Sequence, residues 1–506
     1  MHRNRKIATN TAFLYVRMLV VMGTSLYTVR VVFHALGVQD FGIYGVAAAL
    51  VTLLAFLNAT MSQASQRFLS LDIGNGDLLN LGKTFNAILA IHAVIAIAVV
   101  AAALSAGSWF LNEKMAIPHD RVASANLAYQ FAAISGGLMI VQTPYSALIV
   151  AHEKMWFFSL VSLLEAGLRL LIAWAVANAS GDRLSYYSML MCGSALAVLI
   201  AYVCFARLSF AEARIRPHRE QSVYRALTAF ITWSFIGNLA GAARTQGVNL
   251  LLNVFFGPVA NAAHAIMTQA QTATNNFANS FQMALNPQIY QRHAKGEYGE
   301  MRDLVIIGSK LNFILLLIVV VPVLHATPYI LEAWLSTPPP MAVDFIRWML
   351  VALMIDSISQ PLITAAMATG KIRAYQLIVG GTILLSVPLS YAAFRLGYEA
   401  TAFLYVITAI SFVALLLRLL FLRNLLGFPL SRFALQVLLP ATAISAAMLA
   451  TSLLYTHVFG EVRSLLDFAQ ASSFLAVGSL SSALVLGLSS SERRHLFSTI
   501  GKRFYK

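Results

Sequence analysis

The chain has 506 residues, of which 59% are hydrophobic and only 11% charged, with a mean hydropathy of +0.74. That apolar fraction exceeds what a soluble domain can cover with polar surface, so lipid is the main solvent of the fold. The net charge of +15 and pI near 9.9 would point to nucleic acid in a soluble protein, but here the basic residues sit in short loops between apolar runs, which excludes a DNA footprint and gives a topology signal instead.

Backbone amides in hydrocarbon must be paired within the chain, and the period-two alternation of an outer-membrane barrel is missing. The expected fold is therefore an all-α polytopic membrane protein. Apolar runs of about 20 residues, bounded by Gly, Pro or charge, predict fourteen spans: 10–34, 41–70, 81–106, 122–151, 156–177, 184–206, 226–256, 259–290, 305–326, 342–368, 374–394, 399–421, 432–456 and 467–488. The first follows Arg3, Arg5 and Lys6 with no small-residue cleavage site behind a short apolar region, and reads as a retained span. Alternate loops hold 22 Lys and Arg on the side of the N-terminus against 5 on the other, namely Lys114, Arg121, Arg183, Arg395 and Arg463. That bias predicts both termini in the cytoplasm and an even number of spans.

The longest polar stretch, AEARIRPHREQSVYR at 211–225, divides the chain. It separates an N-lobe of six helices (1–210) from a C-lobe of six (226–425), followed by two more spans (426–490) and a basic cytoplasmic tail (491–506). Overlaying the second part on the first at an offset of about 220 residues pairs Gly37 with Gly257, Gly76 with Gly296 and Asp77 with Glu297, and brings Asn58 within one residue of Asn279. Two six-helix repeats in one orientation predict a pseudo-two-fold along the membrane normal, a cavity between the lobes and alternating access.

Charges at membrane depth cost roughly 3 kcal/mol or more on insertion scales, so each requires a reason. Arg17, Arg30, Arg67, Arg169, Arg244, Lys310, Arg347 and Arg418 fall within predicted spans, against the acids Glu165 and Asp356. Lys310, Arg67, Arg418 and Arg347 lie near span ends, where long side chains snorkel to the headgroups. Glu165 and Arg169, at i,i+4 spacing, form an intrahelical pair that is either structural or poises the charge. Arg17, Arg30 and Arg244 lie on the first helix of each repeat and are the candidates for facing a central cavity. Arg17 and Arg30 are thirteen residues apart, roughly 20 Å and 140° on a straight helix, so they serve different depths or only one is functional.

A cavity ringed by arginines selects anions, and guanidinium pairs with phosphate oxygens in bidentate fashion. The polar side chains of the eighth span, Gln269, Gln271, Thr272, Thr274, Asn275, Asn276, Asn279, Ser280 and Gln282, either hydrogen-bond sugar hydroxyls or glue helices together. The candidate substrate-binding residues are Arg17, Arg30, Arg244, Arg169, Asn276 and Asn279. The candidate ion-coupling residues are Glu165 and Asp356, the latter with Arg347 as an alternative partner. Pro144, Pro287 and Pro361 interrupt long helices, and Gly237 and Gly241 offer a close-packing face.

Cys192 and Cys204 lie twelve residues apart on one predicted helix, about 18 Å and too far for a disulfide. There is no Walker A, GxSxG or HExxH motif and no Cys/His cluster, and His92 and His264 read as ordinary core or lumen residues. No catalytic residue, metal or cofactor is expected, and the chain reads as a transporter, not an enzyme.

Two segments are more specific: LYVRMLVVMGTSLYTVRVVFHALGVQDFGIYGV and FLNATMSQASQRFLSLDIGNGD, with NPQIY at Asn286 to Tyr290 as a weaker match. They resemble the O-antigen (lipid-linked oligosaccharide) flippases of the polysaccharide transporter family, within the multidrug/oligosaccharidyl-lipid/polysaccharide (MOP) exporter superfamily. The resemblance implies a MATE-like bundle of two six-helix lobes plus two C-terminal helices in the bacterial inner membrane. It also implies movement of an undecaprenyl-pyrophosphate-linked glycan from the cytoplasmic to the periplasmic leaflet, with the lipid bilayer as surroundings, polysaccharide polymerase machinery as a candidate partner and no nucleic acid. A lipid II flippase or a drug/cation antiporter of the same fold is the alternative. A polytopic polymerase or glycosyltransferase lacks the large outer loops and paired carboxylates it would need.

Overall fold

Glycine punctuation sets the helix boundaries. In the computed structural model, which describes residues 2–109, 113, 119–214, 220–335 and 338–487, α1 (His2–Asn75) is continuous except at Gly37, whose φ of 74° and ψ of 173° break it into two arms. A Cβ disfavours that φ, and glycine carries none. Then follow α2 (Leu78–Ala102), α3 (Val122–Ala151), α4 (Met155–Ala177), α5 (Arg183–Ser209), α6 (Gln221–Phe256), α7 (Pro258–Ala294), α8 (Tyr298–Leu335) and α9 (Ala342–Ala368). The last four are α10 (Ile372–Arg395), α11 (Ala402–Leu426), α12 (Leu430–Phe459) and α13 (Leu465–Gly487). With the two arms of α1 counted separately these are the fourteen predicted helical segments, and the described residues contain no strand. The basic tail at 491–506, Lys114 and the linker residues Arg216 and Arg219 lie outside the described residues.

Eleven of the helices are long and apolar enough to cross a membrane. The second arm of α1, α6 and α7 fall outside that set. In α7 the cause is the polar series from Gln269 to Gln282, which lowers the apolar content of an otherwise sufficient length.

The chain divides into two units, Met1–Phe235 with Tyr290–Gly296, and Ile236–Ile289 with Glu297–Lys506. In the first, α1 packs along α3 and α4, and α3 along α5, around a core that includes Leu69, Phe85, Leu148 and Tyr202. In the second, α9 packs between α8 and α11, α13 lies on α8, and the core gathers Leu252, Met267, Phe345 and Phe403.

The internal repeat is visible in backbone angles. Gly37 and Gly257 both have φ 74°, and Gly76 and Gly296 have φ 73° and 72°. Two further pairs were not apparent in the sequence, Glu153 with Gly370 (φ 58° and 75°) and Gly181 with Gly397 (φ 105° and 85°). Lys154 and Lys371, each preceding a helix, share φ/ψ of −84°/55° and −80°/52°. One member of the first new pair is a glutamate, which hides the equivalence from a search for matching glycines.

One expectation about packing needs correction. A Cβ at Gly241 would meet nothing within 4 Å, so GNLAG is not a close-packing face at that position. A close approach to backbone occurs instead at Gly74, where a Cβ would come within 2.7 Å of the Gln291 backbone and 2.8 Å of Ala294 Cβ. The same contact is fastened by the Gln291 side-chain amide donating to the Ala151 carbonyl at 3.0 Å. Gly74→Ala is therefore expected to lower the thermal unfolding midpoint of the purified protein. Gly82→Ala, whose Cβ would have 3.9 Å to its nearest neighbour, should leave it unchanged or raised, because alanine favours the helix by about 1 kcal/mol.

Candidate functional site

Within the first unit the structure brings Arg17 together with the Glu165–Arg169 pair. The Arg17 guanidinium lies 4.8 Å from the centroid of the Phe158 ring and interacts electrostatically with Tyr202 and Glu165. Its Nε is buried with no hydrogen-bond partner. Arg169 donates from Nη2 to Glu165 Oε1 at 2.6 Å, the i,i+4 pair expected from the spacing, and its side chain is 47% exposed. With Glu165 occupied by Arg169, Arg17 is the cation in excess. An aromatic face stabilises it without neutralising it, so it retains the ability to bind an anion.

Arg30 is elsewhere. It is exposed and lines a depression of about 460 Å³ with Tyr27, Val31, His34, Ala35, Ala177 and Arg183, beside the Gly37 break and thirteen residues along the first arm from Arg17. The two arginines do not share a site.

In the second unit, Arg244 and Asp356 line a common cavity with Thr245, His264 and Gln271, closed by Val248, Met267, Met349, Leu353 and Leu404. Its volume of about 30 Å³ suits one or two waters, not a sugar. Asp356 is half-buried there, and its expected partner Arg347 instead directs Nε to the Leu324 carbonyl at 3.4 Å. Asn276 and Asn279 are exposed on α7 and do not line this cavity. The hydroxyls of Thr272, Thr274 and Ser280 donate to carbonyls of their own helix, which satisfies them without a ligand. Thr245, next to Arg244 in the chain, was not singled out in the sequence, and His264 read there as an ordinary core or lumen residue; the packing of α6, α7 and α9 brings both to the cavity.

Snorkelling fails for three basic residues. Arg67, Lys310 and Arg418 are 7%, 5% and 5% exposed, so they are enclosed by neighbouring helices. The Arg67 guanidinium is sandwiched between Phe68 and Phe230, 4.8 and 4.7 Å from the ring centroids, and Arg418 Nε donates to the Tyr375 hydroxyl at 3.2 Å. Span position alone gave the wrong environment, since helix packing extends past the apolar run.

Outside the spans, ion pairs fix the connections. His152 Nε2 meets Glu212 Oε1 at 2.6 Å. Burial pushes the Glu212 carboxyl up, but hydrogen bonds from His152 and the backbone more than offset it and hold the group below the ordinary carboxylate range. Lys83 pairs with Glu220 at 2.8 Å, and Arg121 bridges Asp40 and Asp182. Cys192 and Cys204 are both free, and the described residues hold no group of three metal-ligating side chains.

A family model described as MatE matches residues 234–392. No curated protein matches the chain by sequence. Among solved structures, the chain resembles one titled "Outward-facing conformation of a multidrug resistance MATE family transporter of the MOP superfamily" at TM-score 0.71 and 13% identity, covering 83% of this chain and 95% of that one. It resembles a Pyrococcus furiosus MOP superfamily transporter at TM-score 0.71 and 12% identity, with coverage of 83% and 95%. It also resembles the MATE transporter ClbM in complex with Rb+ at TM-score 0.70 and 16% identity, with coverage of 83% and 96%. The fold is that of the MATE transporter structures, a polytopic helical membrane bundle, and the MatE match falls on residues 234–392 of it.

Arg67→Lys tests the aromatic sandwich. The charge is kept, but an ammonium does not stack as a guanidinium does, so the variant is expected to lose about 1 to 2 kcal/mol of stability, read as a lower thermal midpoint. An unchanged midpoint would show that the charge alone matters.

Proposed function

We propose that the chain is a flippase that moves an undecaprenyl-pyrophosphate-linked oligosaccharide, an O-antigen or other surface-polysaccharide repeat unit, from the cytoplasmic to the periplasmic leaflet by alternating access. Its place is the bacterial inner membrane, with both termini cytoplasmic and the polysaccharide polymerase machinery downstream.

The observation that carries the reading is Arg17, a membrane-embedded guanidinium with a buried Nε unspent beside a carboxylate already bonded to Arg169. Excess positive charge in a low-dielectric setting favours an anionic substrate and repels a cationic one. Pyrophosphate supplies the complementary charge, and Arg17 can contact it through bidentate N–H donors. Polarity is also the criterion for the Pyrococcus furiosus relative, whose title says that reverse polarity of its binding pocket suggests a different function.

A drug/cation antiporter is the second reading, favoured by Asp356 in its small cavity and by the Rb+ complex of ClbM. The presence of Arg244 in that cavity disfavours a bound alkali cation there. In the flippase reading Asp356 couples transport to the ion gradient.

A strain lacking the chain is expected to accumulate lipid-linked repeat units on the inner leaflet and to lose surface polysaccharide; normal surface polysaccharide refutes the reading. In complementation, Arg17→Ala should restore roughly tenfold less polysaccharide than the parent, since a charged hydrogen bond contributes about 1.5 to 3 kcal/mol, with the protein still present in the membrane. In inverted vesicles Asp356→Asn should abolish the dependence of transport on the ion gradient, and an unchanged dependence would remove Asp356 from coupling.

A further inference from the structure

The depression lined by Arg30 and Arg183 has no part in the site around Arg17, yet it gathers two guanidinium groups and His34 with no lining carboxylate among the described residues. Of the acids at this end of the first unit, Asp40 and Asp182 are engaged by Arg121, and Asp120, beside Arg121 in the chain, does not line the depression. Arg183 is fixed, with Nη1 donating to the Ala35 carbonyl at 3.0 Å and Nε to the Ala179 carbonyl at 3.2 Å. These bonds satisfy carbonyls at the end of the first arm of α1 and after α4, and leave the remaining N–H groups of the guanidinium for a ligand. Arg30 is exposed and lies seven residues before the Gly37 break, roughly 10 Å along the helix, within snorkelling reach of a headgroup layer. Tyr27, 63% exposed on the same wall, has the apolar ring and polar tip that suit a membrane interface.

We propose that this depression is a phosphate site for a lipid headgroup at the membrane interface, with Arg183 as the fixed donor and Arg30 as the mobile one. A volume of about 460 Å³ falls in the range of small-molecule sites, and paired guanidinium groups match phosphate oxygens. The site does not depend on the identity of the transported substrate. The phosphate comes either from a membrane phospholipid or from the pyrophosphate of a prenyl lipid at this end of its path, and the two sources differ in the test.

Trp174, 68% exposed on α4 one turn before Ala177, reports occupancy. With the other tryptophans replaced by Phe, the protein in detergent is titrated with brominated dioctanoyl phosphatidylglycerol and with the brominated phosphatidylcholine, following quenching of Trp174. The anionic lipid is expected to bind about five-fold more tightly, the effect of one basic residue near a membrane surface. Arg30→Gln should bring the ratio close to one, Arg30→Lys should largely keep it, and Arg463→Gln, which removes an exposed charge elsewhere, should not alter it. Ala177→Glu, a change at an exposed position of the lining, should also abolish the preference and serves if Arg30→Gln does not fold. Displacement by farnesyl pyrophosphate at lower concentration than by phosphatidylglycerol assigns the site to the prenyl pyrophosphate; the reverse order assigns it to membrane phospholipid. Equal quenching by the two brominated lipids in the parent, or an unchanged preference in both Arg30→Gln and Ala177→Glu, would overturn the proposal.

Discussion

A charge inside hydrocarbon must be matched locally, because no water is available to screen it and the cost of leaving it bare is roughly 3 kcal/mol even on lenient insertion scales. This chain meets that constraint in several ways. Arg169 takes a carboxylate one turn away, Arg67 takes two aromatic faces, and Arg418 takes a tyrosine hydroxyl. Arg244 shares a small cavity with Asp356. Arg17 takes a single ring and keeps a donor in hand. Arg418 also keeps a buried Nη1 without a partner, so what sets Arg17 apart is its place near Glu165, whose carboxylate is already bonded to Arg169.

The backbone is more symmetric than the chemistry. Glycines at equivalent turns agree in φ to within a degree or so at the first two positions, and the lysines preceding α4 and α10 share their dihedral angles. The charges do not follow the repeat. On the 220-residue offset Arg17 corresponds to Gly237 and Arg244 to Thr24, so each unit places its arginine at a different depth of an equivalent helix. In the proposed flippase the first unit supplies the anion contact, while the second holds Arg244 beside Asp356 in its own small cavity. The flippase reading requires that division of labour.

Sequence and structure agree where a residue acts through its own backbone or its near neighbours. The helical segments, the i,i+4 pair of Glu165 and Arg169, and the paired glycines followed from periodicity and spacing. Features that depend on which helix lies alongside did not follow. Arg67 read as a snorkelling end residue because Phe230 is more than 160 positions away in the chain, and Gly74 was not singled out because its close partner Gln291 belongs to a distant helix. Arg17 and Arg30 were both assigned to one cavity, although the thirteen residues between them already required different depths. Asn276 and Asn279 stood out in a polar series, yet Gln271 is the member that reaches the cavity with Arg244.

The central claim is that the membrane-embedded cations of the first unit serve an anionic lipid-linked glycan. The most direct measurement uses purified protein in liposomes loaded on one leaflet with an undecaprenyl-pyrophosphate-linked oligosaccharide, and follows accessibility of the glycan to a lectin or glycosidase on the other side. Protein-dependent exposure that the uncharged undecaprenol-linked glycan does not show is the predicted result. Equal movement of both lipids, or no movement together with gradient-driven export of a fluorescent cation, would contradict the account.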